Sequence, residues 1–503
     1  MVPRGRREAD YNPAPMTDDV TAGTEAASAF DATRRRVALW LGPLAFLLIL
    51  LLPSGLAPGP HRLAAVMALV MIFWVGEPVP LPVTSLMGPA LAVLLGVSGA
   101  RDAFTPFGDP VIFLFLGSFL LAEALRVHGL DRRIALAILA APGVAASPVR
   151  LRIAVALVTA GISMWISNTA TAAMMLPIAL GLVRALGAAG STESPRALLL
   201  LVGMAASLGG MATPVGTPPN MIALGVLERQ GGVALGFLSF MAVGVPMSLA
   251  LLGLTLAAVR WLVPKPGVAA DVSGYVAAER QALPPWGPGQ WACATAFALA
   301  VTLWIAPGVI ALVSEGKGWA RLEESVVAVA AAVLLFLWPV GDRTALTWED
   351  GKRIDWGTLL LFGGGLSLGK MMFDTGLAAF VGRAAVEATG VTTLWGLTAL
   401  VLATTIVLTE IASNTATVTM LAPLVLALAA EMGVPVVPPL LAVAFGASMG
   451  FMFPVGTPPN AIVYGTGLVP LTSMMRIGVM VDVLGFFVIL AVLRILCPVL
   501  GLG

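Results

Sequence analysis

Ser167-Asn168-Thr169-Ala170-Thr171 returns 246 residues later as Ser413-Asn414-Thr415-Ala416-Thr417. Pro214-Val215-Gly216-Thr217-Pro218-Pro219-Asn220 returns 240 residues later as Pro454-Val455-Gly456-Thr457-Pro458-Pro459-Asn460. A weaker echo at an offset of 247 relates Phe115–Leu130 to Phe362–Leu377. Seven identical residues in a row and five more, in the same order, mark a duplication with units near 62–262 and 291–499.

The composition says what medium the repeats live in. Of 503 residues, 58% are hydrophobic and 11% charged, and the mean hydropathy is +0.96. Soluble domains carry about 25% charged residues. The balance excludes a soluble enzyme, a disordered chain and a nucleic-acid binder, and predicts an all-α polytopic membrane protein in the lipid bilayer. The formal net charge of +1 names no partner. Cys293 and Cys497 are too few for a disulfide framework or a thiolate metal site. His61 and His128 read as a loop residue and a helix-end residue.

Residues 1–36 read as a disordered tail and 37–61 as the segment of a first transmembrane helix. Repeat 1 spans 62–262, a polar linker 263–290, and repeat 2 291–499. In the tract 149–187, no charge occurs from Ile153 to Val183. As one helix that run would reach ~46 Å at ~1.5 Å per residue, against a hydrocarbon core of ~30 Å. Its midpoint is the polar Ser167-Asn168-Thr169. The tract is therefore a broken helix or a hairpin with its tip at mid-membrane, facing protein or a water-filled cavity. Treating it as re-entrant places Arg34 to Arg36, Arg132, Arg133, Arg150, Arg152, Arg184 and Arg196 on one side. The positive-inside rule makes that side, with the N-terminus, cytoplasmic. Five crossings plus one hairpin per unit forces the copies to insert with opposite topology. This is the inverted-repeat plan of secondary transporters. A single-file channel is the rival, but two different broken elements per chain favour a transporter.

Each Gly-Thr-Pro-Pro-Asn interrupts a span, because proline removes a helix N–H and glycine permits unusual backbone. Freed carbonyls with Ser, Thr and Asn oxygens suit a hard cation, and helix N-termini suit an anion. No Lys, Arg, Asp or Glu occurs in 153–183, 197–227 or 436–475, and Glu410 is the one charge near the second tip. An anion at this site would need helix dipoles and bound cations to offset its charge. Gly364 to Lys370 has the spacing of a phosphate loop, but Met371 stands where Ser or Thr is required. Glu123 and Lys370 occupy equivalent places and could pair within the membrane or each face a cavity. No nucleophile–base arrangement is visible, so an enzyme is not expected.

Paired Ser-Asn-Thr motifs, each followed by a Gly-Thr-Pro-Pro-Asn break, resemble the divalent anion–sodium symporter family over roughly residues 37–500. The resemblance implies about eleven transmembrane helices plus two re-entrant hairpins, here 149–187 and 392–430. It also implies a homodimer, elevator motion, residence in the cell inner membrane, and sodium-coupled import of small dianions such as C4-dicarboxylates. One sodium site would use Ser163, Ser167, Asn168 and Gly216, and the second Thr409, Ala412, Asn414 and Gly456. Substrate carboxylates would meet Asn168, Thr169, Thr217, Asn414, Thr415 and Thr457. Some relatives are sodium-independent exchangers, in which a fixed cation could replace sodium; no Arg, Lys or His lies in either motif here.

Overall fold

A computed structural model of the chain describes residues 18–188, 195–263, 271–313 and 323–502. These are helical apart from loops and one two-residue antiparallel pairing of Pro339–Val340 with Arg343–Thr344. Seven described helices are long and apolar enough to cross a membrane, or eight if the pair Leu377–Thr389 and Leu394–Thr409, bent by 95°, is one span. The implied eleven crossings are not reached by length. The reason lies in the motifs, which cut membrane segments into short pieces such as Pro195–Gly210 and Val437–Gly446.

One expectation about a polar segment needs correction. The tail is not without structure throughout, since the first helix runs from Asp18 to Leu51. Residues 1–17 lie outside the described residues. An apolar helix that is already nucleated extends backwards through helix-tolerant Ala, Thr and Glu without a second nucleation step. The linker also carries structure, the helix Ser273–Gln281. Val272 N–H donates to the Ala145 carbonyl at 3.1 Å, Val276 is buried, and Arg132 pairs with Glu279 at 3.0 Å. The Tyr275 phenol lies over Gly181, where a Cβ would collide with it. Apolar residues at 272, 275 and 276 make one face, and that face docks beside the first tract.

The tract 149–187 is two helices, Pro148–Ser163 and Asn168–Ala188, joined by a short turn. Its counterpart is Leu394–Thr409 and Asn414–Glu431. The copies interlock. Pro218–Arg229, which follows the first break, packs on Asn414–Glu431 and Val437–Gly446 of the second copy. Pro458–Tyr464, after the second break, packs on Asn168–Ala188 and Pro195–Gly210 of the first. Gly203 makes room for this crossing, because a Cβ there would sit 3.3 Å from Val463 and 3.4 Å from Asn460 Oδ1.

Candidate functional site

Four helices end shortly before the motifs and four begin within them. Pro148–Ser163, Pro195–Gly210, Leu394–Thr409 and Val437–Gly446 terminate there, presenting C-terminal carbonyls. Asn168–Ala188, Pro218–Arg229, Asn414–Glu431 and Pro458–Tyr464 start there. The prolines at the break occupy the first turn of their helices, where a missing N–H costs nothing. The first three N-termini supply the electropositive ends; the fourth helix has only seven residues and adds little.

At the first tip, Ser163 Oγ lies 2.9 Å from Asn168 Oδ1 and 2.6 Å from the Ala206 carbonyl. Its one hydrogen serves either. At the second tip, Thr409 Oγ1 lies 2.7 Å from both Asn414 Oδ1 and the Ala447 carbonyl. Each half-site thus gathers three oxygens at hydrogen-bond range, a donor set suited to a hard monovalent cation. Ser163 and Thr409 are fully buried, while Asn168 and Asn414 are partly accessible. Gly210 admits the Asn168 amide, since a Cβ there would stand 2.3 Å from Oδ1.

The two breaks are braced alike. Asn220 Nδ2 donates to the carbonyls of Gly210 (2.9 Å) and Thr213 (2.8 Å). Asn460 Nδ2 donates to those of Gly450 (3.0 Å) and Phe453 (3.3 Å). Gly216 presses on the Gly210 and Met164 carbonyls, where a Cβ would come within 2.5 and 3.0 Å. Gly456 is looser, with its nearest neighbour at 3.2 Å. Thr217 and Thr457 stand at the N-cap positions of the post-break helices and are buried; Thr457 Oγ1 accepts from Asn460 N–H at 3.3 Å, whereas the Thr217 hydroxyl makes no cap bond. Ser167 Oγ accepts from Ala170 N–H at 3.3 Å, Thr169 is exposed, Thr415 is partly exposed, and Ala412 is buried in the second turn.

Sequence reasoning missed the Ala206 and Ala447 carbonyls, which carry no side-chain signature. It also missed the bracing role of Asn220 and Asn460, although their recurrence pointed to one. A third omission is Asp482, which lies against Glu410. Glu410 accepts the N–H groups of Phe451 (2.9 Å) and Met452 (3.1 Å). Glu123 and Lys370 do not pair with each other. Glu123 binds Arg126, and Lys370 binds Asp374 at 2.6 Å. Gly364 and Gly365 sit in the unbroken helix Trp356–Thr375, pressed against Ser85 and Thr419, so this run serves helix packing.

The family described as the sodium:sulfate symporter transmembrane region matches residues 34–502. A sodium-dependent dicarboxylate transporter of Staphylococcus saprophyticus is 34% identical over 490 residues, 93% of this chain and 92% of that one. Its namesake in Staphylococcus aureus strain MRSA252 is 31% identical over 485 residues, with the same two coverages of 93% and 92%. Among solved structures, the YdaH transporter of Alcanivorax borkumensis is similar at a TM-score of 0.54 and 17% identity, covering 93% of this chain and 98% of its own. Neisseria gonorrhoeae MtrF is similar at 0.56 and 14%, covering 92% and 97%. At such identities the likeness is one of fold.

Proposed function

The chain belongs to the sodium:sulfate symporter family, a family of membrane transporters and not of enzymes, and from that premise we propose that it imports a small dianion together with sodium. The cargo in this reading is a C4-dicarboxylate such as succinate, malate or fumarate, as the names of the staphylococcal relatives suggest. The observation that carries the reading is the meeting of helix C-termini and N-termini at both tips. Carbonyls and amide oxygens attract sodium; N-termini and amide N–H groups attract carboxylates.

Sodium is held in one half-site by Ser163, Ser167, Asn168 and Gly216, and in the other by Thr409, Ala412, Asn414 and Gly456. The dianion lies between the tips, against Asn168, Thr169, Thr217, Asn414, Thr415 and Thr457. Each Asn faces both ligands, so bound sodium fixes the tip that presents donors to the anion. The hairpins ride as one moving body in an elevator cycle. The protein is a homodimer in the inner membrane with a cytoplasmic N-terminus.

The test is uptake of labelled succinate into proteoliposomes with a sodium gradient, then with choline in place of sodium. Accumulation that needs sodium supports the symporter. Uptake indifferent to the exchange overturns it in favour of an exchanger, and currents without accumulation would mean a channel.

A further inference from the structure

Arg34 begins the run Arg34-Arg35-Arg36 and differs from its neighbours. Arg35 and Arg36 are exposed, whereas the Arg34 side chain is only 16% exposed. Arg34 Nη1 donates to the Ile411 carbonyl at 2.6 Å. Nη2 faces Asp31 at 3.4 Å and Glu77 at 4.0 Å, which hold the fork from behind. Glu77 reaches this place through a left-handed backbone, φ 50°, at the end of Pro58–Gly76. The two helices that carry the cluster touch closely. A Cβ on Gly76 would lie 2.1 Å from the Ala38 Cβ, and one on Gly42 2.5 Å from the Phe73 ring.

Ile411 sits in the turn between Leu394–Thr409 and Asn414–Glu431, beside Ala412 of the second half-site. Its carbonyl lies in the turn, two residues beyond the last helical residue Thr409, and accepts no backbone N–H in that turn. A guanidinium there satisfies the carbonyl and the negative end of the helix dipole together. The rest of the seam is apolar. Val37, Ala38, Leu41 and Val75 face Leu408 and Leu421 across a crevice of about 520 Å³. Apolar contacts of this kind can slide, whereas a directional charged hydrogen bond selects one position.

We propose that Arg34 is a positioning residue for transport: it docks the second hairpin tip on the first two helices and sets the share of molecules in the arrangement described above. The inference rests on the reading of the hairpins as moving parts. When the tip travels, this bond must break, so its strength biases the equilibrium between positions.

The probe is Ile411→Cys, an exposed position, in a background where the buried Cys293 and Cys497 are replaced by alanine. A membrane-impermeant maleimide is applied in liposomes from the face that carries Arg34, without sodium or substrate. Loss of a charge-assisted hydrogen bond should shift the equilibrium by about tenfold or more. Arg34→Gln should therefore slow labelling about tenfold, and Arg34→Lys should restore most of it. An unchanged or faster rate in Arg34→Gln protein that is monodisperse and melts normally overturns the proposal. If that variant does not fold, Asp31→Asn with Glu77→Gln decides. Freeing the fork should slow labelling about threefold, and no slowing overturns the proposal as well. Because labelling needs no cargo, a wild type that fails sodium-driven succinate uptake would defeat the cargo reading while leaving this result standing.

Discussion

The two tips share a hydroxyl–amide–carbonyl arrangement but differ in what pins each break to its hairpin. In the first, Thr213 in the unwound strand does it, donating to the Met164 carbonyl and accepting from Gly216 N–H at 3.1 Å. In the second, the position equivalent to Thr213 is Phe453, and the position equivalent to Met164 is Glu410. Glu410 reaches across to the N–H groups of Phe451 and Met452. The polar partner has moved from the strand to the hairpin, and a hydroxyl has become a carboxylate. The atoms proposed to meet the cargo are duplicated, while those that merely hold the loop are replaceable provided the backbone groups are satisfied. Unpartnered hydroxyls recur too, at Thr171 and Thr417 and at Ser207 and Ser448.

The strongest way to break this comparison is to remove both pins. Glu410→Ala strands one buried and one half-buried N–H group and should cost about 2–6 kcal/mol at ~1–3 kcal/mol each. Thr213→Val strands the Met164 carbonyl but leaves Gly216 N–H a longer bond to the Thr213 carbonyl, and should cost about 1–3 kcal/mol. Thermal unfolding in detergent reads the difference, and equal losses would refute the unequal roles.

The atoms proposed to meet the ligands should behave in the opposite way, as equals. Asn168→Ala and Asn414→Ala should each weaken succinate binding by roughly tenfold to 150-fold, the worth of one charge-assisted hydrogen bond at about 1.5–3 kcal/mol. Titration of succinate at several sodium levels, and of sodium at several succinate levels, should give one reciprocal coupling factor in the wild type. Substrate affinity independent of sodium would show that the ligands do not share these tips.

The glycines sharpen the contrast. Gly216→Ala puts a methyl 2.5 Å from a backbone oxygen that cannot yield, whereas Gly456→Ala meets its nearest atom at 3.2 Å. The first should cost about 1–3 kcal/mol and impair sodium-dependent uptake, and the second should cost less than about 1 kcal/mol. Transport lost equally in both would mean that the half-sites are packed alike.

The smallest effect lies outside the membrane segments, at Asp131. Burial raises its carboxyl above the ordinary value, despite Arg126 and Arg132 nearby. The folded state therefore holds its proton more tightly than the unfolded chain does. Stability at this group is greatest below the unfolded value and is lost as pH rises through the folded one. Asp131→Asn should flatten that part of the stability–pH curve, and an unchanged slope would show that another group is responsible.

Much of this was legible in the sequence because duplication repeats a message and a pair of prolines leaves little choice to the backbone. The polar tips, the breaks and the scarcity of charge near them came from residues at known spacing. Other features depend on where helices cross. The Ala206 and Ala447 carbonyls look like any others in the chain. Asp482 is 72 residues from Glu410, and Arg34 is 377 residues from Ile411. The helix from Asp18 was hidden because its composition suits a polar tail equally well, and the adjoining apolar helix decided the matter.

The crossed packing of the post-break helices also bears on origins. Each copy lays its short helix on the other copy's hairpin, so neither unit alone completes the packing around its own break. An ancestor the length of one unit would have needed a second molecule to complete that packing, as two interlocking chains. Joined in one chain, the two halves are free to differ: Phe453 stands where Thr213 does and Glu410 where Met164 does, a pairing that two identical subunits could not carry.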